Sequence, residues 1–209
     1  MADEFLSVRH SGAAELIIKR SRFIGQCFPV TVITEAEERL AAVRRVHRDA
    51  SHHCYAFRIG NDGRQSRSSD DGEPSGTAGA PILGVLTRQG IVNALCVVTR
   101  YYGGVKLGAG GLVRAYAEVC AAAVEKAEPV IVRSCTAYEI IVPYPMFQVV
   151  ENVAALFGGL EEKTFTDAVR ALIWIWDDEA DDFLLRLRNA TEARCAPRAV
   201  ARESRPYLS

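Results

Sequence analysis

An apolar run, Ile91–Val98, leads straight into the stretch Thr99–Tyr116, and a helical run, Leu112–Ala127, leaves it. Five glycines fall between the two runs, at Gly103, Gly104, Gly108, Gly110 and Gly111. This order predicts a buried strand, a glycine-rich loop and a helix start in immediate succession. Such a junction leaves backbone N–H groups unpaired where an anion can meet the helix dipole. Lys106 within the loop, with Arg100 and Arg114 at its edges, adds positive charge at the same place. The stretch reads as an anion-binding site built from Arg100, Tyr101, Gly103, Gly104, Lys106, Gly108, Gly110, Gly111 and Arg114. No reaction follows from it.

The common phosphate fingerprints fail here. The loop is not Gly-x-x-x-x-Gly-Lys-Ser/Thr, so it is no P-loop. Gly108 and Gly110 do open a helix after a strand. The third glycine of a dinucleotide site is displaced, however, and no ribose-binding acid sits at the expected distance. No cofactor is indicated.

A second stretch, Arg64–Ala80, has no apolar periodicity and carries Ser69, Asp70, Asp71, Glu73, Gly76, Thr77 and Gly79. A loop of that length inside a domain is usually functional. It precedes a short predicted helix, Ala80–Arg88, that leads into the apolar strand, whereas the glycine loop leaves that strand. The two loops are therefore expected to face each other across a cleft with Arg100, Lys106 and Arg114 as its basic wall. The acids offer hard oxygen ligands to a divalent cation, or partners for Arg100 or Arg114. The spacing of a calcium loop is missing, and no metal is assigned.

His52 and His53 are further candidates, beside Cys54. Strand alternation puts only His52 and Cys54 on a common face, and a thiol in an apolar strand is more naturally core than nucleophile. Tyr101 and Tyr102 next to Arg100 and Lys106 offer stacking beside charge, as single-stranded nucleic-acid sites do, although packing is the commoner use of such a pair. Trp174 and Trp176 share one strand face and read as core or a sheet-face contact.

Elsewhere, Ala13–Lys19 and Phe23–Val32 read as strands turned at Lys19–Arg22, with Gly25 marking a bulge or a close backbone approach. Thr34 opens a helix with Glu37 as the second half of a capping box. His52–Ile59 is a strand closed by the turn Gly60–Gly63. The helix Leu112–Ala127 is alanine-rich enough to lie close to a sheet and ends at Glu128-Pro129. From Arg133 a fresh pattern starts: strand Thr136–Val142, helix Pro145–Phe157, strands Leu160–Thr166 and Ala168–Trp176, helix Glu179–Asn189, strand Cys195–Ala201. That βαββαβ order is the ferredoxin-like split unit. The chain is thus α+β in class, with one domain over residues 1–131 and a second over 132–209.

The net charge is −1, which excludes a globally basic nucleic-acid binder but not a local basic patch. The first 131 residues carry 16 Lys and Arg against 14 Asp and Glu, and the remainder 9 against 12, so a polyanion contact belongs in the first half. The acidic start has no basic region followed by an apolar core, so no secretory signal is expected, and no apolar run is long enough to span a membrane. Six cysteines without a C-x-x-C pair, mostly within apolar runs, read as buried reduced thiols of a cytoplasmic protein.

Three blocks then carry a resemblance: His52–Ala56, Ser69–Pro81 and Thr99–Tyr116. Together they resemble the IMPACT/YigZ family over roughly residues 10–130, and the remainder is similar to the C-terminal domain of bacterial YigZ-type members. The resemblance implies an N-terminal ribosomal protein S5 domain 2-like fold, a sheet with helices on one side. It implies a ferredoxin-like C-terminal domain similar to the last domain of elongation factor G. Eukaryotic members regulate translation through a protein partner with the help of an extra N-terminal domain, for which there is no room before residue 10. What carries over is a domain linked to translation, with no catalytic activity to assign. Three functions follow as expectations: contact with RNA or ribosomes through the glycine-rich basic cleft, an enzyme acting on a phosphorylated small molecule, and a protein-interaction adaptor in translation control.

Overall fold

The computed structural model describes residues 4–207. The chain is mixed α/β, with two five-stranded sheets and five α-helices among the described residues. It divides into two compact units, residues 5–131 and 132–207.

In the first unit the strands are β1 (Phe5–Val8), β2 (Gly12–Ile18), β3 (Ser21–Pro29), β4 (His52–Ile59), β5 (Gln65–Ser69) and β6 (Ala94–Tyr101). The helices are α1 (Ile33–Val46), α2 (Gly79–Arg88) and α3 (Ala109–Lys126). The sheet runs β2-β3-β6-β4-β5, with every neighbouring pair antiparallel. β6 lies at its centre and is buried along almost its whole length. Its alternate residues serve two cores. Cys96 and Val98 pack with Phe23, Cys54 and Ala56 under α2 and α3, while Leu95 and Val97 pack with Val30, Phe57 and Ile59 under Leu40 and Val43 of α1. The expectation of helices on one side is therefore corrected: α1 covers the opposite face, because β3, β4 and β6 are apolar on both.

α3 lies so close to the sheet that β2 and β3 need glycine beneath it. A Cβ on Gly25 would come within 2.7 Å of the Val119 carbonyl oxygen, and one on Gly12 within 2.2 Å of the Ala127 nitrogen. The pairing of β3 runs through Gly25 without a shift, so that glycine marks a close approach and not a bulge.

Several boundaries differ from expectation. The apolar run at Ile91 is not yet central strand. Ile91 makes an isolated parallel bridge to Leu6, Asn93 then turns the backbone at φ 52°, and β6 begins at Ala94 and continues to Tyr101. The helix expected to open at Thr34 begins at Ile33. Its entry is closed by Glu35, whose Oε2 accepts from Thr31 N at 2.7 Å, and not by Glu37. Part of Arg64–Ala80 is not loop at all, since Gln65–Ser69 pairs with β4 as an edge strand.

The second unit holds β7 (Pro129–Val142), which begins before the division between the units, then α4 (Tyr144–Ala154), a 3-10 turn (Ala155–Phe157), β8 (Glu162–Phe165), β9 (Val169–Trp176), α5 (Ala180–Ala190) and β10 (Arg198–Pro206). Four strands of this five-stranded sheet lie in the order β10-β7-β9-β8, all antiparallel. Ile140, Val142, Ile173 and Ile175 on one sheet face pack with Val150, Phe183 and Leu187 of the two helices. Trp174 and Trp176 lie on the other face, beneath the guanidinium groups of Arg205 and Arg133.

Candidate functional site

At the end of β6 the chain turns outward, and α3 begins beside the start of β4. Between them opens a cleft of about 440 Å³. One wall is Lys106, Leu107, Gly108 and Ala109 at the start of α3. The other is Glu73 and Pro74 from the loop after β5, with His52 of β4, Arg100 of β6 and Tyr102 just beyond it. Residues of both loops singled out in the sequence thus line one cleft.

Glu73 is the hub of the site. Its side chain is 3% exposed, and its Oε1 accepts from Arg100 Nη1 at 2.6 Å and from Tyr116 Oη at 2.7 Å. His52 Nε2 lies 3.9 Å from the same oxygen. Arg100 Nη2 donates to Ser21 Oγ at 3.2 Å, and the guanidinium lies over Phe23 and Tyr102 at 5.2 Å from each ring centroid. Its Nε is buried and makes no hydrogen bond. A buried ion pair tolerates loss of one member poorly, because the survivor is left charged and unpaired. Arg100 is therefore not a free cation of a basic wall. It neutralises Glu73, the alternative use of the acids that the sequence left open.

The helix start is built differently. Gly108 caps α3 at φ 75° and ψ 161°, a conformation open essentially to glycine alone. It has no side chain to cap the helix. The first bond inside α3 runs from Leu112 N to Gly108 O, so the N–H groups of Ala109, Gly110 and Gly111 precede the helical ladder. No acidic residue occupies that first turn. Lys106, exposed, stands beside them. Gly110 itself does not have a positive φ, and a Cβ there would meet only Arg114 Nη1 at 3.9 Å, so the strained position is Gly108 and not Gly110.

The remaining acids are structural. Burial disfavours the charge on Asp70, but the N–H groups of Gly76, Gly79 and Ala78 outweigh it and hold the carboxyl below its usual range. Asp70 thereby caps α2 from eight residues upstream of Ala78. Asp71 accepts from His53 N at 2.7 Å and pairs with Arg44 at 3.0 Å. Ser69 Oγ accepts from Asp71 N, and Thr77 Oγ1 donates to Pro74 O, so both hold the loop's own shape. His52 Nδ1 bonds the Asp71 carbonyl at 2.9 Å; a carbonyl can only accept, so Nδ1 carries the proton and Nε2 faces Glu73. His53 points to the other face, where burial chiefly lowers its pKa.

Cys54 shares a face of β4 with His52 and is fully buried there. Burial pushes its thiol up to about 12, against a hydrogen bond to Tyr116 that acts the other way. Among the described residues no cluster of His, Cys, Asp and Glu has the geometry to hold a metal ion.

Residues 19–124 match the family profile described as the Impact N-terminal domain, half of the chain and most of the unit that carries the cleft. The chain belongs to the IMPACT family. It is 44% identical to the IMPACT family member YvyE of Bacillus subtilis over 116 residues, 56% of this chain and 54% of that protein. It is 48% identical to YigZ of Escherichia coli over 101 residues, 47% of this chain and 50% of that one. The chain is thus matched to about half the length of these curated relatives. A crystal structure of a hypothetical protein, 29% identical, covers 96% of this chain and 98% of its own with a TM-score of 0.63.

Within this IMPACT family chain the sequence and the structure distribute the site residues differently. Arg100, Lys106, Gly108, His52 and Glu73 line the cleft. Arg114 is exposed on α3 and does not line it. Tyr101 faces the opposite side of β6, where its hydroxyl meets His47 Nδ1 at 2.9 Å. Gly103 packs against the β2–β3 turn, where a Cβ would meet the Arg20 carbonyl oxygen at 2.0 Å. Alternation along the chain separates the tyrosine pair offered for stacking: Tyr102 lines the cleft with Arg100, and Tyr101 does not. Tyr116 was hidden in the apolar stripe of its helix, and Ser21 in a turn.

Proposed function

We propose that the chain is a translation-related, cytoplasmic binding protein that takes a phosphate group of RNA, free or within the ribosome, in the cleft at the start of α3. The observation that carries this reading is the glycine-capped N-terminus of an 18-residue helix opening onto a cleft beside Lys106. Backbone N–H groups and the helix dipole supply a fixed positive end, and Lys106 a mobile one. Neutralisation of Glu73 by Arg100 removes the charge that would otherwise repel a phosphate. Membership of the IMPACT family supports the link to translation, and the buried free cysteines support the compartment. No helix of the described residues is long and apolar enough to cross a membrane.

The same reading extends to the fold. We take the first unit as S5 domain 2-like, with α1 as an addition on the second face. The order β10-β7-β9-β8 with both helices packed on one face supports a ferredoxin-like second unit, similar to the last domain of elongation factor G. The test is binding of a single-stranded RNA across a salt series. The logarithm of the association constant should fall linearly with that of salt, and Lys106→Ala should weaken binding and reduce the slope by about one. No RNA binding at low salt would overturn the reading.

One observation favours a second reading. A carboxylate held by a guanidinium and a phenol, with an imidazole nearby, at the wall of a cleft of small-molecule size, is also how an enzyme for a phosphorylated metabolite would be furnished. Turnover of such a compound by the purified chain would decide for it.

A further inference from the structure

Resting on the first reading above, we infer that the cleft recognises a ribose-phosphate unit, with the phosphate at the start of α3 and a ribose hydroxyl on Glu73. Both ends of the argument are on the cleft wall. Glu73 Oε1 is occupied twice, by Arg100 and by Tyr116. Among the described residues Oε2 makes no hydrogen bond, and it is open to the cleft that Glu73 borders. Beside it one polar atom is buried and unsatisfied: Arg100 Nε, in a side chain 5% exposed. Buried polar atoms left without partners are uncommon in a folded protein, and one beside an open carboxylate oxygen at a cleft points to a ligand that meets both.

The chemistry selects what that ligand offers. Oε2 can only accept, so the group it meets must be a donor. An added cation is poorly suited, because Arg100 already balances the carboxylate. A neutral hydroxyl fits, as acidic side chains elsewhere take ribose hydroxyls. The opposite wall wants an anion. His52 Nε2, whose ring donates through Nδ1 to Asp71, stands beside Glu73 as a further polar group for the sugar. A hydroxyl donor a few ångströms from a phosphate, with a flat face for the rim residue Tyr102, which is 46% exposed, describes a ribonucleotide. DNA lacks the donor.

The source of the unit, a polynucleotide or a free nucleotide, is separated by experiment on the unmodified protein. Affinity is measured for an unstructured RNA, the DNA of the same sequence, the 2′-O-methyl RNA, and a ribonucleoside monophosphate with its 2′-deoxy analogue. Tighter binding of RNA than of both DNA and 2′-O-methyl RNA, by about tenfold or more, is expected for one hydrogen bond to a charged acceptor. The same ratio between the two mononucleotides would support the inference with a free nucleotide as ligand. Equal binding of RNA and DNA would overturn the inference and leave the phosphate reading standing. Binding of no polymer would overturn the RNA reading, and the inference would then fall too unless the ribonucleotide alone is preferred over its deoxy form. Glu73→Gln, which keeps one acceptor but adds a donor, should abolish the preference for ribose while its circular dichroism stays that of the parent. If that variant unfolds, the comparison of ligands on the parent protein still decides.

Discussion

Single positions at the cleft separate into those that hold it and those that would meet a ligand. Breaking the Glu73–Arg100 pair leaves one buried charge uncompensated, so Arg100→Met alone should cost about 3–5 kcal/mol in a denaturant titration. The double variant Glu73→Leu with Arg100→Met should recover most of that loss. Lys106 is exposed and makes no ion pair within 4.0 Å among the described residues, and Lys106→Ala should change stability by no more than about 0.5 kcal/mol. Neighbouring glycines should behave oppositely. Gly108→Ala forces a side chain into a region of backbone space reserved for glycine, at a cost of about 1–3 kcal/mol. Gly110→Ala meets open space in a helical turn and should be neutral or stabilising by about 0.5 kcal/mol. Equal effects at the two positions would show that the cap is not where the backbone places it.

At the level of elements, Asp70 ties the loop after β5 to α2. Asp70→Ala should cost about 2–4 kcal/mol, since a charged acceptor of three N–H groups is lost. The folded carboxyl titrates below its unfolded value, so its contribution is complete above the unfolded pKa and disappears as pH falls through the folded one. Asp70→Asn should accordingly flatten the acid limb of the stability profile. Sequence pattern showed most of these elements because apolar periodicity marks the strands and helices that face a core. β5 was illegible for the same reason: all five of its residues are polar, it sits at an edge, and its pairing with β4 is through the backbone. The start of β6 was misplaced because Ile91 and Val92 are buried without belonging to the strand, and only the turn at Asn93 tells them apart. Of the cleft, the cap and the lysine were readable from glycine spacing and charge. Pairing of the acids with Arg100 was among the expectations, but Tyr116 on Glu73 and Ser21 on Arg100 were not, since they look like core and turn until three elements are brought together.

For the whole chain, the two units each have their own core. Residues 1–131 and 132–209 expressed separately should each give a cooperative thermal transition, and an unfolded first half beside a folded full chain would show that the division is not one of folding. All six cysteines are free and buried. Burial raises Cys54, and its neighbours Cys120 and Cys27 raise Cys96, so the native protein should react slowly with thiol reagents and release six equivalents only in denaturant. The glycines beneath α3 bear on the cleft although they do not line it. Val119 sits about 15 Å along the helix axis from the cap. With Gly25 pressed against it, the helix has a fixed pivot, and any tilt there is magnified at the open end like the error of a long pointer. Gly25→Ala should thus blunt ligand affinity more than it lowers the melting temperature, for the aim of the donors is set at the far end of the rod.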